Sequence, residues 1–181
     1  MNALISLHNS VFSRLERLSP AVLPTLARLV FAATLLVYFW VSAKTKLAGV
    51  FSLDAGAYIQ IFPRKFEAFG YDPSQFGALD RLIIFAGTYA EFILPLLIAL
   101  GLFTRLASLG MIGFVIVQSL TDIFGHNADP TTIGTWFDKT PDAHILDQRA
   151  FWVFILIYLV LRGAGPLSLD ALLARRHAAS G

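Results

Sequence analysis

Cysteine is absent from the 181-residue chain, which excludes disulfide bonds, thiol catalysis, thiolate metal sites and cysteine-ligated iron–sulfur clusters. A redox role would therefore need a bound cofactor, such as a quinone, or a metal held by histidines and carboxylates. The motifs of soluble enzymes are missing too: there is no P-loop, no glycine-rich dinucleotide motif after a strand, no HExxH and no GxSxG. Catalysis inside a membrane is compatible with these absences, so the sequence leaves open whether the protein is an enzyme.

Charged residues are also scarce. They make up 14% of the chain, against about a quarter in soluble domains, whereas hydrophobic residues make up 56%. The mean hydropathy of +0.68 agrees with this bias. The composition therefore predicts the lipid bilayer as the main surroundings of the protein. Nucleic acid is not an expected partner, because the net charge is only +2 and the basic residues are dispersed.

Four stretches are long and apolar enough to cross a membrane, which takes roughly 20 residues for about 30 Å of hydrocarbon. They lie at about 22–43, 82–103, 106–124 and 150–167. The apolar part of the fourth covers only residues 150–161, and we expect residues 163–167 to extend it while Arg162 reaches the interface. The sequence thus predicts one all-α domain over residues 1–181, an integral membrane four-helix bundle.

The segments between the spans differ in character. The second and third spans meet around Thr104 and Arg105, which predicts a tight helical hairpin. Residues 44–81 are rich in aromatics and predict an outer cap at the depth of the lipid headgroups. Residues 1–20 lack the apolar core of a removable signal peptide. Their leucines recur at helical spacing, which favours a helix in the membrane interface, with a solvated tail as the alternative.

Four spans place both termini on one side of the membrane. Basic residues are nearly balanced in number between the two sides, but they are denser in the two tails and the short turn at 104–105 than in the two long loops. Because cytoplasmic segments are enriched in lysine and arginine, we predict that both termini are cytoplasmic.

The first two predicted spans each contain one charged residue, Arg28 and Glu91. Glu91 lies about nine residues into the second span, roughly 14 Å from its end, where an isolated carboxylate should take a proton or find a cation. Arg28 lies in the first span and is long enough to reach it. A buried Arg28–Glu91 pair that fixes helix register is one interpretation, and a proton-handling Glu91 is the other. Pro95 leaves the carbonyl of Glu91 without its helical partner.

The third span ends in polar residues. Gln118, Asp122 and His126 are four residues apart and would share one face of a continuing helix. Such a face could serve as a proton relay or a quinone headgroup site, or it could be a cluster of hydrogen bonds at a helix end. Asp122 and His126 are also weak candidates for metal ligands. The residues of the outer loop that could complete a metal site are His144, Asp129 and Asp142.

Three stretches resemble the DoxX family of small bacterial inner-membrane proteins. The first is RGAGPLSLDALL at 162–173, which is similar to the terminal signature of the family through Gly163, Gly165, Ser168 and Asp170. The second is EFILPLLIALGLFTRLASL, which begins at Glu91. The third is the first span, from Arg28 to Lys46 and Leu47. The chain departs from the family at Ala32, Ala33 and Ser42, where glycines are usual.

The resemblance implies a four-helix protein of the bacterial inner membrane, linked to quinone-coupled oxidation of thiosulfate and to oxidoreductase complexes. Glu91 is then expected to face inward, with Arg28 or Lys46 as its partner. Two functions fit: an inner-membrane component or accessory subunit of an oxidoreductase system that interacts with quinone, or a non-catalytic partner or transporter-like protein for small solutes or metals. The expected partners are the bilayer and oxidoreductase or metal-handling proteins, and an oligomer is compatible with the sequence.

Overall fold

The computed structural model describes residues 2–180 and forms a bundle of long helices. Four helices are long and apolar enough to cross a membrane, over Leu4–Lys44, Ala78–Leu100, Thr104–Gly125 and His144–Arg162. The predicted all-α membrane bundle is therefore confirmed. A single short hairpin departs from it within the described residues, in which β1 (Leu47–Gly49) pairs antiparallel with β2 (Ser52–Leu53).

The first span is part of one uninterrupted helix. α1 (Asn2–Phe31) continues through a π-helical turn at Ala32–Leu36 into α2 (Val37–Lys44). The N-terminal segment is helical as predicted, but it is not a separate element. Pro20 does not break the helix, because the carbonyl of Glu16 that loses its backbone donor accepts from Ser19 Oγ at 2.9 Å instead.

The second and third spans form the predicted tight hairpin. α5 (Ala78–Leu100) ends at Gly101, whose φ of +69° is the left-handed conformation that glycine adopts without strain. α6 (Thr104–Leu120) follows after two further residues and runs into a π-helical turn at Thr121–Gly125. This turn displaces the residues that follow Leu120 from the positions that a regular α-helix would give them.

The fourth span differs from the prediction at both ends. It begins with a π-helical turn at His144–Gln148 and continues as α8 (Arg149–Arg162). Gly163 has a φ of +78° and ends the helix, so residues 163–167 do not extend it. The helical span instead begins earlier than expected, at His144, and this places Arg149 inside it.

The remaining elements cover the two ends of the bundle. α3 (Ala55–Ile61), α4 (Pro63–Ala68), a 3-10 turn at Pro73–Gln75 and α7 (Pro130–Ile133) lie at one end, which we call the loop face. The predicted aromatic cap is present there, since Tyr58, Phe66 and Phe76 form a buried cluster. The α5–α6 turn and α9 (Leu169–Ser180) lie at the other end, the tail face.

The main core lies between the helices and extends from the depth of Glu91 toward the tail face. It consists of fully or almost fully buried apolar side chains from the first, second, third and fourth spans. Its members are Phe31, Leu35, Phe39, Ile98, Ala107, Met111, Val115, Leu156 and Leu159. This layer separates the tail face from the polar residues described next.

Candidate functional site

A cavity of about 390 Å³ lies between α5 and α6 toward the loop face. Most of its wall is apolar, and its polar groups come from the end of the first span, α3, α5 and the end of the third span. Five of the six residues predicted for a proton or quinone site line it: Lys46, Glu91, Gln118, Asp122 and His126. The structure therefore brings together residues that lie as far as 80 positions apart in the sequence.

Lys46 and Glu91 form a buried ion pair in the wall of the cavity. Lys46 Nζ lies 3.0 Å from Glu91 Oε2, and the side chains are only 4% and 6% exposed. Lys46 lies just past the C-terminus of α2, and its Nζ also donates to the backbone oxygen of Ser42 at 3.1 Å and to Ser42 Oγ at 2.8 Å. These three acceptors match the three donors of an ammonium group and offset much of its desolvation cost.

Arg28 is not the partner of Glu91, which corrects one of the two pairings expected from the sequence. Its guanidinium lies near the tail face and donates to four backbone carbonyls at 2.7–3.0 Å. Those carbonyls belong to Ile98, Ala99, Ala164 and Leu167. Carbonyls in the last turn of a helix lack the backbone donor four residues further on, so the end of α5 offers acceptors to this side chain. Glu91 lies two turns away and is paired with Lys46.

Residues of the glycine-rich signature at 162–173, together with Gly101 at the end of α5, surround the guanidinium of Arg28 at the tail face. A Cβ on Gly101 would lie 2.7 Å from Arg28 Cζ, so only glycine lets the guanidinium approach the turn. Asp170 accepts from the backbone N–H groups of Phe103 and Thr104 at 2.8 and 3.0 Å and thereby caps α6. Ser168 Oγ accepts from the N–H of Ala171 at 3.1 Å at the start of α9. The signature thus has an architectural role at this face.

Asp122 is paired with a residue that was not among the predicted candidates. Its carboxylate accepts from Arg149 Nη2 at 2.6 Å, and Arg149 Nη1 donates to Ser119 Oγ at 2.9 Å. Arg149 is only 3% exposed and lies 6.0 Å from the ring of Trp152. Asp122 still lines the cavity, but the pair holds the third and fourth spans together at the loop face.

His126 follows the π-helical turn and is not on a continuing α-helix. Its Nε2 lies 3.2 Å from the carbonyl oxygen of Gln60 in α3. Gln118 reaches the cavity from one turn before Asp122, and its Nε2 lies 3.4 Å from Tyr38 Oη. Its Oε1 is buried and finds no donor within residues 2–180. A polar group that needs a partner is thus present beside the cavity.

The structure does not assemble the weak metal candidates into one site. His144 Nδ1 lies 3.1 Å from Gln148 Oε1, and Asp129 caps α7 by accepting from the backbone of Thr131 and Thr132. Hydrogen bonds from the hydroxyls of the two threonines hold the pKa of Asp129 well below its usual value. Among residues 2–180, no group of three or more His, Asp or Glu side chains is placed to hold a metal ion.

Comparison with known proteins agrees with this architecture. The sequence pattern of the DoxX family matches residues 23–127, which include the Lys46–Glu91 pair and the polar end of the third span. The chain belongs to the DoxX family. The match begins within the first span and covers all of the second and third, and the signature at 162–173 lies outside it. No curated protein and no solved structure matched the chain.

Sequence reasoning missed two residues of this DoxX site, Arg149 and Gln60. Arg149 fell outside the predicted spans because the fourth span was expected to begin at about residue 150. The available signal was its place directly before the run AFWVFILIYLVL, where a helix that starts one turn earlier buries it. Gln60 carried no such signal, because only the folding of α3 onto the loop face brings it to the cavity.

Proposed function

We propose that this DoxX protein is a component of an oxidoreductase system in the bacterial inner membrane and that it binds a quinone in the cavity between α5 and α6. Both termini are cytoplasmic in this proposal, and the loop face is outside. The observation that carries the proposal is the cavity itself. It joins apolar walls to a buried ion pair, Lys46–Glu91, in a chain with few other buried charges among its described residues.

The size and shape of the cavity fit a small ring with a lipophilic tail. Ligand pockets commonly enclose roughly 300–1,000 Å³, and this cavity encloses about 390 Å³. Two glycines leave the space open. A Cβ added to Gly113 would meet nothing within 4 Å, and one added to Gly87 would meet only Ile61 Cδ1 at 3.7 Å. A flat ring edge could therefore lie directly against these helix backbones.

The surroundings of the cavity favour a ligand that arrives through the lipid. Ile83 and Val117 belong to its lining and are 45% and 62% exposed on the outside of the bundle. Both lie in helices that are long and apolar enough to cross a membrane. An opening between α5 and α6 at this depth meets acyl chains, in which quinones dissolve.

The cavity wall carries polar groups that can contact the ring of such a ligand and exchange a proton with it. Gln118 has an unpartnered oxygen, and Lys46 has an ammonium group beside the cavity. Quinone reduction takes up protons as well as electrons, and the quinone itself supplies the redox chemistry. In this proposal Glu91 holds a proton at its carboxylate, while Lys46 fixes its position. The electron-transfer partner is an oxidoreductase protein that contacts the bundle.

Filling the cavity tests the proposal. Gly113→Phe is expected to weaken the binding of decylubiquinone by about a hundredfold, because the ring of phenylalanine takes the space that the ligand needs. The corresponding loss of binding free energy is typical of overpacking. Binding is measured by equilibrium dialysis of the purified protein in detergent. The matched control is Leu109→Phe on the same helix, where the side chain is exposed and outside the cavity.

The control protein should bind like the wild type. Equal affinity of all three proteins, or no saturable binding by the wild type, would contradict the proposal. A thermal unfolding midpoint recorded for each protein shows whether Gly113→Phe has kept the fold.

A further inference from the structure

His126 lies between two spaces. It lines the cavity that contains Lys46 and Glu91, and it also lines a cleft of about 500 Å³ on the loop face. The cleft is mostly polar, with Arg64, Glu67 and Asn127 in its wall. Arg64 Nη2 donates to Asn127 Oδ1 at 2.7 Å, which ties α4 to the residue after His126. The imidazole thus separates a cavity at membrane depth from an aqueous cleft.

The contact with Gln60 fixes how the ring can carry a proton. A carbonyl oxygen can only accept, so at 3.2 Å the Nε2 of a neutral His126 bears the hydrogen, and Nδ1 is left as an acceptor. The side chain is exposed and lines both spaces. It therefore has the free nitrogen and the access to both sides that a proton carrier needs.

The opposite end of the cavity is closed. A buried apolar layer that includes Phe31, Ile98 and Met111 lies on the tail side of Glu91. Beyond it, Arg28 is held by four backbone carbonyls, and Asp170 caps α6. Close packing of apolar side chains opposes a continuous chain of water molecules through this layer. The loop face is the side from which water can reach the cavity.

We infer that His126 passes protons between water in the cleft and the Lys46–Glu91 pair, so that the cavity exchanges protons with the loop face alone. Nδ1 takes a proton from a hydronium ion in the cleft, which leaves water, and the imidazolium gives a proton to a water molecule in the cavity. That water passes one proton on to the carboxylate of Glu91. The imidazole ends neutral, as it began, and no electron moves. This inference rests on the proposed proton-holding role of Glu91, but it does not require that the ligand is a quinone.

The charged and titratable groups around this route come from several elements. Asp122 precedes His126 by one turn and is neutralised by Arg149. The other groups, which line the cleft or the cavity, are Arg64, Glu67, Tyr71, Lys46 and Glu91. The cleft thus presents one cation and one carboxylate to His126, and the cavity presents a matched ion pair. The formal charges on each side therefore balance.

The test follows the protonation of Glu91 in purified protein without quinone. After a rapid drop in pH, time-resolved infrared spectroscopy records the growth of the protonated carboxyl band, which is assigned to Glu91 by its loss in Glu91→Gln. His126→Ala is expected to slow this growth by about tenfold or more without changing the final amplitude. Imidazole added to the buffer should restore the rate of the variant, which a purely structural role of His126 would not predict.

Two further variants complete the experiment. His126→Gln keeps a donor for the carbonyl of Gln60 but cannot carry a proton, so it should be slow even if the alanine variant folds poorly. His144→Ala removes another histidine of the loop face and should leave the rate unchanged. An unchanged rate in both His126 variants, a failure of imidazole to restore it, or a wild type without a Glu91 band would overturn the inference. The dialysis experiment with decylubiquinone is independent of these outcomes.

Discussion

Replacing Arg28 by methionine is expected to destabilise the protein by at least about 3 kcal/mol, because each buried carbonyl left without a donor costs roughly 1–3 kcal/mol. The carbonyl of Ile98 also accepts from the N–H of Gly101, but the other three, those of Ala99, Ala164 and Leu167, depend on this one guanidinium. The loss should appear as a lower thermal unfolding midpoint in detergent and as a smaller monodisperse fraction. Arg28→Lys should retain little of the stability that Arg28 provides, because a lysine cannot supply the planar fork of donors.

A matched control is available on the same helix. Arg14 lies in the exposed N-terminal part of α1, so Arg14→Met removes an equal charge and should leave the midpoint almost unchanged. If Arg28→Met unfolded at the wild-type temperature but no longer bound decylubiquinone, Arg28 would belong to the binding site and the assignment to architecture would be wrong.

Lys46→Met is expected to lower the free energy of unfolding by roughly 3–5 kcal/mol, the usual effect of leaving a buried charge without its partner. Glu91 would then be 5% exposed with no cation beside it. In the double variant Lys46→Met and Glu91→Leu, the unpaired charge is gone, so most of the lost stability should return. Both are measured by thermal unfolding of the purified proteins.

This double variant separates stability from function. We expect it to fold but to bind decylubiquinone at least about tenfold more weakly than the wild type, a loss equivalent to about 1.4 kcal/mol. Glu91→Gln should also fold, because its amide oxygen can still accept from Lys46, and it should lose the carboxyl band described above. A stable double variant with full binding would make the ion pair purely structural.

The number of spans in the bundle could be predicted because the length of each hydrophobic run can be read from the sequence. The second and third spans lie within a few residues of their predicted bounds at both ends, and the first span ends where it was predicted to end but begins much earlier, at Leu4. The turn between the second and third spans was expected around Thr104 and Arg105, and the helix ends slightly earlier, at Gly101. The fourth span was misplaced because the π-helical turn at His144–Gln148 is polar. Neither length nor hydropathy indicates such a turn.

It was easier to predict which residues lie at the candidate site than to predict which of them form pairs. A charge inside an apolar helix is expected to face inward, which pointed to Glu91 and Asp122, and both lie in the wall of the cavity. Lys46 follows the first span and was named through the family resemblance. The choice between Arg28 and Lys46 as the partner of Glu91 depended on the free carbonyls at the end of α5, which compete for the arginine. Arg149 was missed because its burial depends on where α8 begins.

Photoaffinity labelling with an azido-ubiquinone most directly tests the central claim, that the cavity between α5 and α6 binds quinone. After irradiation in native membranes, labelled peptides are mapped by mass spectrometry. Labels are expected on the parts of α5 and α6 that line the cavity, within residues 83–94 and 110–122. They should be lost in Gly113→Phe and retained in Leu109→Phe. Labels that lie on the tail face, or that persist unchanged in Gly113→Phe, would contradict the claim.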